Sequence, residues 1–113
     1  MKEGDVLLAA LRQADGAYKD RPVLFLRRMP PFGDFLVCGI STQLQHACAL
    51  DEVISPNDSD FRDSGLKATS LIRLGYLAVL PRNEFKGRIG SVSSVRHQRI
   101  LTRLAEFLRP TRQ

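Results

Sequence analysis

The chain has 113 residues, 43% of them hydrophobic and 26% charged, with a formal net charge of +5 at pH 7. A length of this order fits one domain, and such a chain buries roughly 65% of its unfolded surface, so neither a disulfide nor a metal is needed to hold the fold. Six Phe, two Tyr and no Trp supply few stacking platforms for long single strands. The two cysteines, Cys38 and Cys48, form no CxxC pair and no disulfide framework. The apolar run after Met1–Asp5 is six residues long, too short for a signal-peptide core or a membrane span, and the expected location is the cytoplasm.

In chain order the sequence predicts short strands closed by one helix. Residues 6–11 are almost continuously apolar and read as a buried strand, and 13–16 (Gln-Ala-Asp-Gly) carry turn chemistry. A second strand is expected over 22–26, with Pro22 at its first position, where no ladder donor is required. The tract 29–33 (Met-Pro-Pro-Phe-Gly) breaks the chain, and 35–40 resumes as a central strand. Further strands are expected over 51–54, 70–74, 77–80 and 88–92, with one helical turn allowed in the loop 55–60.

The end of the chain is more definite. Ser93 or Ser94 can cap a helix. Leu101, Leu104, Ala105 and Leu108 recur at helical spacing and predict an apolar stripe, with Ile100 and Phe107 beside it. Arg96, Arg99 and Arg103 fall on another side, predicting an arginine-lined outer face, and Pro110 stops the helix. Strands about ten residues apart with one terminal helix suggest a mainly β (α+β) fold, a small twisted barrel, in a single domain spanning 1–113.

The charge is unevenly placed. From Arg82 onward eight Lys or Arg face two Glu, a net of +6, whereas residues 1–81 hold nine basic and ten acidic side chains, a net of −1. A cationic face in the last third would attract a polyanion such as RNA, or an acidic protein; a solvated basic helix is the plain alternative.

Among chemistry-bearing motifs, no GxSxG, HExxH, P-loop or dinucleotide fingerprint is present. Cys38, His46 and Cys48 are too few and too irregularly spaced for a zinc site, and Cys38 within an apolar strand reads as core. No metal and no cofactor is expected. What remains is Arg21 before the second strand, Ser41-Thr42-Gln43 after the third, and Arg73 inside a later one. A cation and two hydroxyls at strand ends suit a phosphodiester, although singly a rim arginine is a solvated charge and Ser-Thr is a turn.

The pieces Gly4-Asp5-Val6, Asp20-Arg21-Pro22-Val23, Ile40-Ser41-Thr42-Gln43 and Gly65 through Arg73-Leu74, followed by the closing helix, resemble in order the MazF/PemK (Kid-type) toxins of type II toxin–antitoxin systems, over about residues 4–108. The resemblance implies an SH3-like barrel of MazF/PemK/CcdB type. It also implies a homodimer that cuts single-stranded RNA at short sequences without a metal, by 2′-OH attack giving 2′,3′-cyclic phosphate and 5′-OH ends. A cognate antitoxin would neutralise it, with DNA contacted only through the antitoxin complex and no membrane involved. Carried over by motif, the catalytic residues are Arg21, Ser41 with Thr42, and Arg73, and RNA contacts fall on Lys19, Asp20 and Gln43. Asp20 and His46 are bases by type. The chain departs from the family at Gly75, where some relatives carry an acidic residue, and in the loop 16–20, where many carry Glu-Gln. Two other readings use the same barrel: a toxin that inhibits a topoisomerase by contact, and a general RNA-binding domain.

Overall fold

Apolar side chains on both parities of the strands give the sheet two buried faces. The structure, a computed structural model, describes residues 1–111. Six strands, β1 (Asp5–Arg12), β2 (Tyr18–Met29), β3 (Asp34–Ser41), β4 (Glu52–Ile54), β5 (Ser70–Leu80) and β6 (Phe85–Ser91), form one sheet in the order β4-β5-β3-β2-β1-β6, and every pairing is antiparallel. A helical turn α1 (Phe61–Ser64) precedes β5, and the helix α2 (Ser94–Leu108) ends the fold.

Successive strand residues point to opposite faces. Val6, Leu24, Leu26, Cys38, Ile40, Ile72 and Leu74 therefore meet Ile100 and Leu104 of α2 in one core. Leu7, Ala9, Val23, Phe25, Phe35, Val37 and Phe85 form the other. In a flat sheet β3 and β6 would lie about 14 Å apart, three strand spacings, yet the Phe35 and Phe85 rings stack with centroids 5.3 Å apart. The sheet curls over its second core into a barrel-like form without closing, since β4 and β6 remain its edges. Register shifts at Leu26, between β1 and β6, and between β3 and β5 supply the bends.

The expected mainly β architecture with a terminal helix is present, and four details differ. β2 starts at Tyr18 rather than Pro22, because its first residues pair with β1 alone. Arg21 consequently lies within a strand. The segments expected as 70–74 and 77–80 are one strand carrying a bulge: Gly39 faces Arg73 while Cys38 faces Leu77, so Leu74, Gly75 and Tyr76 are extra. The helical turn falls on Phe61–Ser64, just past the loop expected to hold it.

The fourth difference is the rotation of α2. Ser93 caps it by accepting from the Arg96 backbone N–H at 3.1 Å, as expected, but its buried residues are Arg96, Ile100 and Leu104. Of the expected stripe, Leu104 is buried and Leu101 half-buried, whereas Ala105 is exposed and Leu108 is 66% exposed, like Phe107 at 64%. The cause is Arg96. Its guanidinium donates to Asp60 (2.8 and 3.0 Å), Glu52 (2.8 Å) and Asp58 (3.1 Å), and satisfying a buried cation outweighs burying two apolar side chains at a frayable end. Arg99 and Arg103 also reach Glu52, at 2.9 and 3.2 Å. The arginine-lined outer face expected of this helix is therefore not a free cationic surface: its charge is neutralised by the acids of β4 and the following loop.

Candidate functional site

A gap opens where β2 and β3 part. Their pairing stops at Val23↔Gly39; continued, that register would set Pro22 against Ile40 and Arg21 against Ser41. Pro22 brings no N–H to such a ladder, and β2 from Tyr18 to Pro22 follows β1 instead. A cavity of about 300 Å3 fills the gap, lined by Arg12, Gln13, Arg21, Ser41, Thr42, Gln43, Arg73 and Tyr76 with four apolar or small neighbours. Residues separated by more than fifty positions in sequence thus meet at one place.

Local bonds orient the polar groups. Ser41 Oγ accepts from the Gln43 backbone N–H at 3.0 Å, which leaves its own proton free to be donated into the cavity. The Gln13 amide gives its N–H to the Leu11 carbonyl (3.1 Å) and presents its oxygen to Arg21 Nη2 at 3.3 Å. The Arg73 guanidinium lies 5.9 Å from the Tyr76 ring centroid, a cation–π spacing. The β5 bulge returns Tyr76 to the side of Arg73. Gly39 makes room for it, since a Cβ there would stand 3.1 Å from the tyrosine ring.

Arg21, Ser41, Thr42, Gln43 and Arg73, all singled out in the sequence, come together here. Lys19 lies two residues before Arg21 on the same strand face, outside the cavity lining. Asp20 points to the opposite face and pairs with Lys86 at 2.9 Å. His46 is exposed on a 3-10 turn (Leu44–His46) beyond Gln43, and neither it nor Asp20 lines the cavity. Cys38 is fully buried, and burial pushes its thiol up to about 12, which removes it as a nucleophile; Cys48 is exposed. Among the described residues, no group of three His, Cys, Asp or Glu side chains is disposed to hold a metal.

Arg12, Gln13 and Tyr76 were not visible as site residues beforehand. In a regular strand Tyr76, three positions after Arg73, would face the other way. The one available signal was Gly75, a bulge-permitting glycine within a strand pattern.

Arg12, Arg21 and Arg73 share the lining with no carboxylate, and among the described residues none of the three has an acidic partner. Unneutralised guanidiniums beside hydroxyl donors can supply charge-assisted hydrogen bonds to an anion. The toxin MazF-mt6 of Mycobacterium tuberculosis has a similar structure, with a TM-score of 0.67 and 20% sequence identity over 90% of this chain and 93% of that one. No curated protein matches by sequence. The family model of PemK-like, MazF-like toxins of type II toxin–antitoxin systems matches residues 2–108, so the chain belongs to that toxin family. Membership implies a cognate antitoxin partner, and toxins of this family are typically endoribonucleases. No helix among the described residues is long and apolar enough to cross a membrane.

Proposed function

We propose that the protein is a metal-independent endoribonuclease that cuts single-stranded RNA in the cavity between β2 and β3. The observation that carries this reading is the convergence of Arg21, Ser41, Thr42 and Arg73 around one carboxylate-free cavity. The RNA 2′-oxygen gives its proton to solvent water, since neither Asp20 nor His46 lines the cavity, and attacks the adjacent phosphorus. The bond to the 5′-oxygen breaks, and that oxygen takes up a proton, leaving a 2′,3′-cyclic phosphate and a 5′-hydroxyl. The nucleophile belongs to the substrate, so no bound metal is required to generate one. Arg21 and Arg73 stabilise the charge that grows on the phosphorane, and the Ser41 and Thr42 hydroxyls hold a non-bridging oxygen. Arginine stays protonated and serves as an electrostatic group rather than a base. Gln13 holds Arg21 in place. Gln43 and Lys19 extend the contact along the strand of RNA, and the pairing of Asp20 with Lys86 leaves it a role at the edge of that path. The active form is a homodimer, inhibited in the cytoplasm by an antitoxin whose acidic or amphipathic tail folds across the same cavity.

The test is incubation of purified protein with a long single-stranded RNA in EDTA, followed by primer extension, beside Arg21→Ala. The expected result is discrete cuts with 5′-hydroxyl ends, slowed at least ~100-fold in the variant. RNA that stays intact with wild type across a broad panel of sequences would contradict the enzymatic reading.

A further inference from the structure

Cleavage of the phosphodiester leaves the departing 5′-oxygen as an alkoxide, a strong base that needs a proton as the bond to phosphorus breaks. The polar lining of the cavity consists of three arginines, two glutamines, Ser41, Thr42 and Tyr76. Guanidiniums keep their protons, and side-chain amides and aliphatic hydroxyls are poor acids. A phenol, by contrast, ordinarily ionises at about pH 10. Tyrosine is thus the one residue type in the lining with a neutral O–H acidic enough to serve an alkoxide.

Three features of β3 and β5 place Tyr76 in the cavity. Leu74, Gly75 and Tyr76 are the extra residues of the β5 bulge, between the pairs Gly39↔Arg73 and Cys38↔Leu77. Bulges beside active sites re-aim side chains in this way. The Tyr76 ring lies over Gly39, where a Cβ would stand 3.1 Å from Cδ1 and 3.4 Å from Cγ, so a side chain at 39 would crowd it. On the same side the Arg73 guanidinium lies 5.9 Å from the ring centroid. Gly39 and Ser41 share one face of β3, roughly 7 Å apart along the strand, a span that a tyrosine ring and its hydroxyl can cover. Tyr76 is 38% exposed, and among the described residues no protein group hydrogen-bonds its hydroxyl. A tyrosine held for packing alone would find a partner for its O–H; this one keeps it for the cavity.

We infer that Tyr76 is the proton donor to the leaving 5′-oxygen. The inference rests on the ribonuclease reading of the cavity. In-line displacement sets the entering 2′-oxygen and the leaving 5′-oxygen on opposite sides of phosphorus. Ser41 and Thr42 hold a non-bridging oxygen, with Arg21 on their β2 side, and the 5′-oxygen faces β5. As its bond to phosphorus breaks, the electron pair stays on the 5′-oxygen and takes the Tyr76 hydroxyl proton, giving the 5′-hydroxyl end. The phenolate left behind faces the Arg73 guanidinium. It recovers a proton from the water that received the 2′ proton, and the protein returns to its starting state.

The test compares wild type with Tyr76→Phe, which keeps the ring over Gly39 and beside Arg73 and removes only the O–H. Two short RNAs carry one cut site mapped by primer extension: one natural, the other with sulfur in place of the 5′-oxygen at the scissile bond. A thiolate leaves without being protonated. Tyr76→Phe is expected to slow cleavage of the natural RNA about 100-fold and to cut the sulfur-containing RNA at the wild-type rate. Equal slowing of both RNAs, or wild-type cleavage of the natural one, would overturn the inference and leave the ribonuclease reading in place. If wild type yields no cut site to map, that reading falls and the inference falls with it.

Discussion

Two clusters of three arginines sit in this fold and do opposite things. On α2, Arg96, Arg99 and Arg103 converge on Glu52, with Asp58 and Asp60 completing the shell of Arg96. In the gap between β2 and β3, Arg12, Arg21 and Arg73 line one cavity, with no carboxylate in the lining. The first cluster is a joint. It ties the terminal helix to β4, an edge strand whose inward-pointing Glu52 also discourages pairing with another chain. The second turns its charge into the cavity where the proposed function seats the RNA phosphate. Counting charges along the chain favours the basic last third for anion binding; counting acidic partners favours the three cavity arginines, as the proposed function requires.

Removing the joint's central acid has the largest expected effect. Glu52→Gln removes the acid that Arg96, Arg99 and Arg103 share, while Asp60 and Asp58 still face Arg96, and the expected loss is about 2–3 kcal/mol, read as a fall in the urea midpoint. Unchanged stability would mean that the cluster is ornamental.

A smaller effect follows from acid. The Arg96 hydrogen bond holds the Asp60 carboxyl down to about 2. Burial pushes Glu52 up, but the hydrogen bond and charge of Arg99, with the charge of Arg96, outweigh it and bring Glu52 below its ordinary value. In both cases the unfolded chain binds protons at a higher pH than the folded one, so stability falls as pH falls. The contribution is complete above about pH 5 and is lost on the way from pH 4 to 2, on the order of 2 kcal/mol for Asp60. Urea unfolding at pH 6, 4 and 3 should show the decline, and Asp60→Asn should flatten it. The arginine cavity, lined by no carboxylate, adds nothing to that acid limb.

Much of this was legible in the chain, and the gaps have definite causes. The succession of strands along the chain, the terminal helix and the Ser93 cap follow from local patterns, because apolar alternation and turn residues act over a few positions, whereas Arg21, Ser41, Thr42 and Arg73 are singly weak signals and were picked out together only by the family resemblance. The rotation of α2 was not legible, because Leu101, Ala105 and Leu108 outvote Arg96 unless Glu52 and Asp60 are known to lie beneath it. Those acids come from thirty-six and more residues away. Tyr76 was hidden by a bulge that reverses its side, and Arg12 and Gln13 by a hairpin that brings turn residues over Arg21.

Whether polyanion contact belongs to the cavity arginines or to the helix is decided by salt-dependent binding of an uncleavable 2′-O-methyl RNA, paired with urea unfolding. Arg73→Gln is compared with the double variant Arg99→Gln/Arg103→Gln. Arg73→Gln should lower the slope of log affinity against log salt by about 0.7 per lost phosphate contact, with stability within about 0.5 kcal/mol of wild type. The double variant should keep the full slope and lose about 1 kcal/mol of stability, a modest figure because both side chains are partly solvated. A reduced slope in the double variant with an unchanged slope in Arg73→Gln would contradict contact at the cavity, and would return the RNA to the helix.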